Sequence, residues 1–285
     1  RWARPEYKRD VPGNMHTYAS PLSEQAEEAG SEIDCFARGF GVGSDSDDSC
    51  GDGSWCKNAS VFLDGSSSGD VVQGSLGDCW FLGALSVLAT RYECLRKCFW
   101  PPEKPDMYKD QGLFVCRFYK DGAWIYVIID DRIAVYGDSE NIPAFARCRE
   151  VNELWVCLLE KAYAKLFGCY KNLIGGFVHN ALADLTGFAP LQIVFKPGHQ
   201  GYTKKLERFD TTSSSTMADG GHCSRQYSMD LLWRKLVRLH DEWHSMMGCS
   251  IQQETGKNSL TAEGAQGLRI MHAYGLVDMQ TITRS

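Results

Sequence analysis

Hydrophobic positions are spread unevenly along the chain. Residues 1 to about 60 are polar and rich in Gly, Ser and Asp, with few periodic apolar positions, so 1–60 is expected to be a polar lead-in without a core of its own. From Val61 the pattern tightens. Phe81, Leu82, Leu85 and Leu88 fall at i, i+1, i+4 and i+7, one face of a 3.6-residue helix that begins near Cys79. LFVCRFY (113–119) and AWIYVIIDD (123–131) are strand-like runs joined through Asp121-Gly122, which predicts a hairpin. NELWVCLLEKAYAKLFG (152–168) returns to helical spacing at Trp155, Leu158, Leu159, Ala162 and Leu166, with Gly168 as its stop.

The character changes after Gly175-Gly176. LQIVF (191–195) and GCSI (248–251) read as short strands, separated by a Ser/Thr-rich linker near 211–216 and a helix, MDLLWRKLVRLHDEWH (229–244). That helix carries Leu232, Leu236, Leu239 and Trp243 on one stripe. LRIMHAYGLVDM (268–279) is expected as a last strand, with Ile270, His272 and Tyr274 on one face. Helices and strands mixed in this order indicate an α+β fold.

Composition narrows the function classes. A formal charge of −6 and the lack of a basic stripe argue against a nucleic-acid partner. No apolar run approaches the roughly 20 residues of a membrane span, so no membrane contact is expected from this segment itself. The start, RWARPEYKRD, has neither a signal peptide nor an initiator methionine, and additional domains are expected outside the sequence. The 12 cysteines are irregularly spaced, and Cys116, Cys157 and Cys169 lie inside apolar runs. That usage suits buried thiols in a reducing, cytoplasmic or other intracellular compartment rather than a disulfide framework. The sequon Asn58-Ala59-Ser60 is then idle. The acidic run DSDDSCGDGS (45–54) fails as an EF-hand, because Cys50 takes the glycine position and Cys56 the closing glutamate.

Candidate chemistry centres on QGSLGDCWFL (73–82). A cysteine opening a helix sits among unpaired N–H groups and the positive end of the macrodipole, a setting that lowers a thiol pKa from about 8.5 toward neutrality. Gln73 could supply a side-chain N–H to an oxyanion. His272 is a distant base of the kind that a fold brings to a nucleophilic cysteine, although a strand histidine is also a common core residue. His240 and His244 are one helical turn apart, a metal-ligand spacing, but the glutamate that a zincin carries directly after the first histidine is missing.

QGSLGDCWFL resembles the nucleophile motif of calpains, the papain-like intracellular cysteine proteases. WVCLLEKAYAK followed by Gly175-Gly176 resembles a second calpain block, and with ALADLTG (181–187) it looks most like phytocalpains and related protist calpains. GLRIMHAYGLVDM, preceded by GCSI, resembles the strand that carries the calpain histidine, and RWARPE resembles a WxRP lead-in. The resemblance runs from about Val61 to Met279. It implies a papain-like two-lobe fold: a helical first lobe (61–175) carrying the nucleophile and an antiparallel β-rich second lobe (176–285) carrying the histidine, incomplete at its C-terminus.

By the same resemblance Cys79 is the nucleophile, His272 its base and Gln73 an oxyanion donor. Calcium would be held by the backbone carbonyls of Leu63 and Gly65 and the carboxylates of Asp70 and Glu153. Ser68 departs from the pattern, since animal calpains have arginine there. The asparagine that orients the calpain histidine follows it in an NPW motif, and no asparagine follows Asn258 here. The expectation is that this residue lies beyond Ser285, or that the product is truncated and inactive. The implied function is a calcium-dependent intracellular cysteine endopeptidase that acts on protein substrates by limited proteolysis. The alternative is a catalytically inactive calpain-like regulatory or interaction module.

Overall fold

The computed structural model describes residues 59–136, 142–195, 202–206, 229–251 and 268–280, together with the backbone of 35–38. The lead-in apart from 35–38 and 59–60, its acidic run at 45–54, Asn58, the linker near 211–216 and Asn258 lie outside the described residues. The strands form antiparallel pairs: β1 (Cys35–Arg38) with β5 (Arg132–Val135), β2 (Val71–Val72) with β6 (Arg147–Cys148), and β3 (Leu113–Lys120) with β4 (Ala123–Asp130). Later in the chain β7 (Leu191–Phe195) pairs with β8 (Tyr202–Leu206), and β9 (Met247–Ser250) with β10 (Ala273–Leu276). The helices are α1 (Cys79–Ala89), α2 (Tyr92–Arg96), α3 (Trp155–Leu166), α4 (Val178–Thr186) and α5 (Met229–Asp241). This is the expected α+β mixture.

Local chemistry explains the boundaries. The β3–β4 hairpin turns in two residues, Asp121 at φ 50° and Gly122 at φ 83°. Two left-handed residues give a turn whose twist matches that of the strands, and Asp-Gly is well suited to it. Gly168, at φ 98°, and Gly187, at φ 74°, stand just past the ends of α3 and α4, where a left-handed residue closes the last carbonyls.

The core forms where α1, α3, α4 and β3 meet. Tyr163 of α3 stacks on Phe81 of α1, with centroids 4.2 Å apart and an interplanar angle of 8°, and it also meets Phe118 of β3. Its hydroxyl donates to Asp184 Oδ2 at 2.7 Å, and the same carboxylate takes Lys120 Nζ at 3.0 Å. Burial raises the Asp184 carboxyl, while Lys120 and the Tyr163 hydroxyl oppose the rise. α1 is more enclosed than one apolar stripe would require: Trp80, Phe81, Leu82, Ala84, Leu85, Val87, Leu88 and Ala89 are all buried. A helix apolar on all sides is an interior helix.

The β9–β10 hairpin closes over α1 and α4. Glycines make this approach possible. A Cβ at Gly275 would stand 2.6 Å from the Gly83 carbonyl oxygen, and one at Gly248 would stand 2.4 Å from Val178. Ordinary side chains do not fit there.

Two expectations need correction, and one strand had not been expected. The last strand spans only Ala273–Leu276, because Ile270 and Met271 form a turn with Met271 at φ 56°, tied back by its N–H to the Ile251 carbonyl at 2.8 Å. The helix expected over 229–244 ends at Asp241, and Trp243 is exposed while Leu232 is buried. β8 gave no apolar signal, since its sequence is Tyr-Thr-Lys-Lys-Leu. The eight described cysteines form no disulfide, and Cys116, Cys157 and Cys169 are buried. Gly275→Ala is expected to lower stability by about 1–3 kcal/mol, the usual cost of forcing atoms into a packed interface, as read by urea denaturation.

Candidate active site

Cys79 is the first residue of α1, half-buried and preceded by a tightly held loop. Ser75 donates through both N–H (3.0 Å) and Oγ (2.9 Å) to the Ala144 carbonyl. A Cβ at Gly74 would lie 2.3 Å from the Phe145 backbone, so glycine permits the contact. On the other side Gly175 N–H donates to the Gly77 carbonyl at 3.1 Å, and Trp80 Nε1 donates to the Leu173 carbonyl at 2.8 Å. Gly176 lies flat against the Trp80 indole, where a Cβ would come within 2.3 Å of the ring. These bonds fix the start of α1 between two segments distant in sequence.

The first turn of α1 is closed by Phe81 and Leu82 N–H groups on the Asp78 carbonyl, at 2.8 and 3.2 Å. Among the described residues, no acceptor meets the Cys79 or Trp80 N–H. These donors, at the positive end of the helix, form a place for negative charge. A cleft of about 340 Å³ lies on the Trp80 side of the helix start, lined by Trp80, Gly176, Phe177, Asn180 and Asp184 among others, and Cys79, Gln73 and His272 do not line it.

Gln73 is exposed, and its Nε2 donates to the Leu76 carbonyl at 2.8 Å, which leaves one amide N–H for another acceptor. His272 lies one residue before β10, half-buried and edge-on to Tyr274 with centroids 4.9 Å apart. β10, which begins directly after His272, packs on α1, the helix that Cys79 opens. Among the described residues, no hydrogen bond joins the two side chains.

Buried thiols elsewhere are inert by comparison. Burial pushes the Cys98 thiol up to about 12, and burial likewise raises Cys116 and Cys148. A thiol held neutral is a poor nucleophile. Sequence reasoning passed over Asp78 and Glu160, two carboxyls that are 0% and 1% exposed. Burial raises Asp78 to about 6, against the lowering effect of a hydrogen bond with Glu160, and raises Glu160 well above its ordinary range. The only available signals were an acid directly before the cysteine and a glutamate within an apolar helix.

The residues implicated in calcium binding also gather. Glu153 Oε1 accepts the Leu63 N–H at 3.2 Å, and Trp155 N–H donates to the Val61 carbonyl at 3.1 Å, tying the 61–70 loop to the start of α3. Ser67 caps the short turn Ser68–Asp70, and Asp70 Oδ2 accepts the Ser67 N–H. Glu153 is raised first by burial and further by the charge of Asp70, so the two carboxyls face a common region. Among the described residues, no hydrogen bond reaches the Leu63 or Gly65 carbonyl. Two unbonded carbonyls and two mutually repelling carboxylates suit a hard divalent cation. Among the described residues, no three His, Cys, Asp or Glu side chains form a metal cluster. His244 lies past the end of α5 at φ 50°, so His240 and His244 do not share a helix face, and His240 Nδ1 instead meets Asp241 Oδ1 at 2.7 Å.

Residues 52–285 match the calpain family cysteine protease domain. The chain belongs to the calpain family. It is 46% identical to the calpain-type cysteine protease DEK1 of Arabidopsis thaliana over 222 residues, which is 78% of this chain and 9% of that protein. It is 32% identical to mouse calpain-5 over 234 residues, covering 80% of this chain and 32% of the mouse protein. The DEK1 protein of Zea mays shares 47% identity over 133 residues, 47% of this chain and 6% of its own length. The calpain core described here therefore spans a third or less of these relatives.

The packing predicts a labelling pattern. Brief iodoacetamide treatment of the native protein, followed by peptide mapping, is expected to modify Cys79 and to leave Cys98, Cys116 and Cys148 intact. Modification of the buried three at rates matching Cys79 would contradict this account.

Proposed function

We propose that this calpain-family chain is the catalytic core of a calcium-dependent cysteine endopeptidase that cuts protein substrates by limited proteolysis. The observation that carries the proposal is Cys79 at an α1 N-terminus with two N–H groups lacking acceptors, crossed by the β9–β10 hairpin that bears His272. In this reading the lobes meet at Gly175-Gly176, with 61–175 as the first and 176–285 as the second.

The Cys79 thiolate attacks the scissile carbonyl, forming a C–S bond as the carbonyl electron pair moves to oxygen. The Cys79 N–H and the second Gln73 amide N–H hold that oxyanion. His272, as imidazolium, gives its proton to the amine while the C–N bond breaks. Water then attacks the thioester, His272 accepts its proton, and the thiolate departs.

Leu63 and Gly65 through carbonyls, and Asp70 and Glu153 through carboxylates, would hold calcium, which offsets the repulsion between the two acids. The loop at 63–70 packs near α1, and Ser66 Oγ donates to the Ala89 carbonyl at 2.7 Å. Ordering this loop thus bears on the nucleophile helix. An intracellular, reducing location is supported by the buried free thiols among the described residues. Among the described residues, no helix is long and apolar enough to cross a membrane.

In the whole protein, Cys79→Ala is expected to abolish calcium-stimulated casein cleavage. Undiminished cleavage would move the nucleophile elsewhere, and a wild type inert with calcium would favour a non-catalytic interaction module. Glu153→Gln is expected to raise the calcium midpoint about tenfold or more, judged from the usual cost of disturbing a metal site. An unchanged midpoint in a calcium titration would remove Glu153 from the site.

A further inference from the structure

Asp78 occupies the position from which an aspartate usually caps its own helix, turning its carboxylate onto the N–H groups of the first turn. It does not do so here: the Asp78 side chain makes no cap hydrogen bond. The carboxyl is fully buried, and no N–H of another described residue reaches either oxygen, its own backbone N–H being the one that bears on it. What it meets is the Glu160 carboxyl of α3, also buried and fixed by the Ala146 N–H, which reaches Oε2 at 3.0 Å and Oε1 at 3.2 Å.

Two carboxylates accept hydrogen bonds and cannot donate them. A hydrogen bond between these two carboxyls therefore requires that the pair retain a proton, and buried neighbouring acids do retain one because two adjacent charges are costly to bury. Burial raises both carboxyls, so the pair keeps a shared proton above the ordinary carboxyl range. The ionisable groups surrounding the pair reinforce this. Tyr170, itself raised by burial, feels Glu160, Cys157, Asp130 and Asp78, and all five are acids.

We propose that Glu160 is a positioning residue for the nucleophile: its buried carboxyl, fixed by the Ala146 N–H, holds Asp78 inside the core and away from the α1 N-terminus, leaving the Cys79 and Trp80 N–H groups open to an oxyanion. This rests on Cys79 being the nucleophile. Without the shared proton, the Asp78 carboxylate has no partner in the core. The nearby donors are the N–H groups of its own helix, so Asp78 would occupy the anion position as an internal cap and place its charge beside the thiol.

The pair also makes a signed contribution to stability. The folded state keeps a proton that the unfolded chain releases above its ordinary carboxyl range, near pH 4 to 4.5. The pair's contribution to stability therefore falls as pH rises above about 4 and is lost as the pair gives up its shared proton.

The test compares wild type, Glu160→Gln and Glu160→Leu in the whole protein. Glutamine can accept the Ala146 N–H through Oε1 and donate to Asp78 through Nε2. Glu160→Gln is therefore expected to keep wild-type casein turnover and Cys79 alkylation, with a shallower fall of thermal midpoint between about pH 5 and about pH 8. Glu160→Leu is expected to slow Cys79 alkylation by iodoacetamide about tenfold, the effect of roughly one pKa unit, and to lower casein turnover in parallel. Equal alkylation in folded Glu160→Leu and wild type would overturn the proposal.

If Glu160→Leu does not fold, infrared spectra of the other two proteins decide. Wild type at neutral pH should show a protonated-carboxyl C=O stretch that is missing from Glu160→Gln, and its absence from wild type would overturn the proposal. A wild-type Cys79 no more reactive than the buried cysteines would instead defeat the nucleophile assignment, which separates the two failures.

Discussion

α1 is apolar on nearly every side, and a helix of that composition is stable only when other elements enclose it. Its eleven residues are wrapped by α3 through the Phe81–Tyr163 stack and by the β9–β10 hairpin at Gly83 and Gly275. Enclosure decides the position of the thiol. With the helix sides occupied, its N-terminus is the part left open, and Cys79, half-buried, is the residue at that end. Hydrophobic burial therefore places a polar reaction centre to within the tolerance of core packing.

α3 connects the remaining parts of the account. Glu153, just before it, faces Asp70 and the 63–70 loop, Glu160 faces Asp78, Lys161 reaches Asp130 and the Arg132 carbonyl, and Tyr163 stacks under α1. A displacement of this one helix would disturb the proposed calcium ligands, the acid pair and the floor of the nucleophile helix together. That gives a physical route from the proposed cation site to the thiol, since Glu153 adjoins an element that already supports Cys79. Lys161 shows how expensive the arrangement is to build, since burial lowers its ammonium and Asp130 counters that effect.

Much of this was legible in the sequence where a local rule governs. Asp121-Gly122 marked the hairpin because few residue pairs accept two left-handed conformations, Gly168 marked the end of α3, and QGSLGDCWFL marked both the helix start and its cysteine. Legibility failed where tertiary contacts decide. Tyr202–Leu206 became a strand by pairing with β7 although its own sequence is polar, and the strand carrying His272 was cut short by a turn at Met271 that no pattern announced. The Asp78–Glu160 contact was invisible for a related reason. Each acid has an ordinary reading alone, as a helix-start residue or as a helix-favouring glutamate, and only folding shows that both are buried and facing.

The central claim is that Cys79 is made reactive by His272 across the α1–β10 contact. It is tested most directly by the rate of thioether formation with a peptidyl chloromethyl ketone in calcium, comparing the whole protein with its His272→Ala variant. The account predicts one adduct, on Cys79, forming in the variant about a hundredfold or more slowly, the ordinary scale of a lost acid–base partner. Equal rates in the two proteins, or an adduct on a different cysteine, would contradict it.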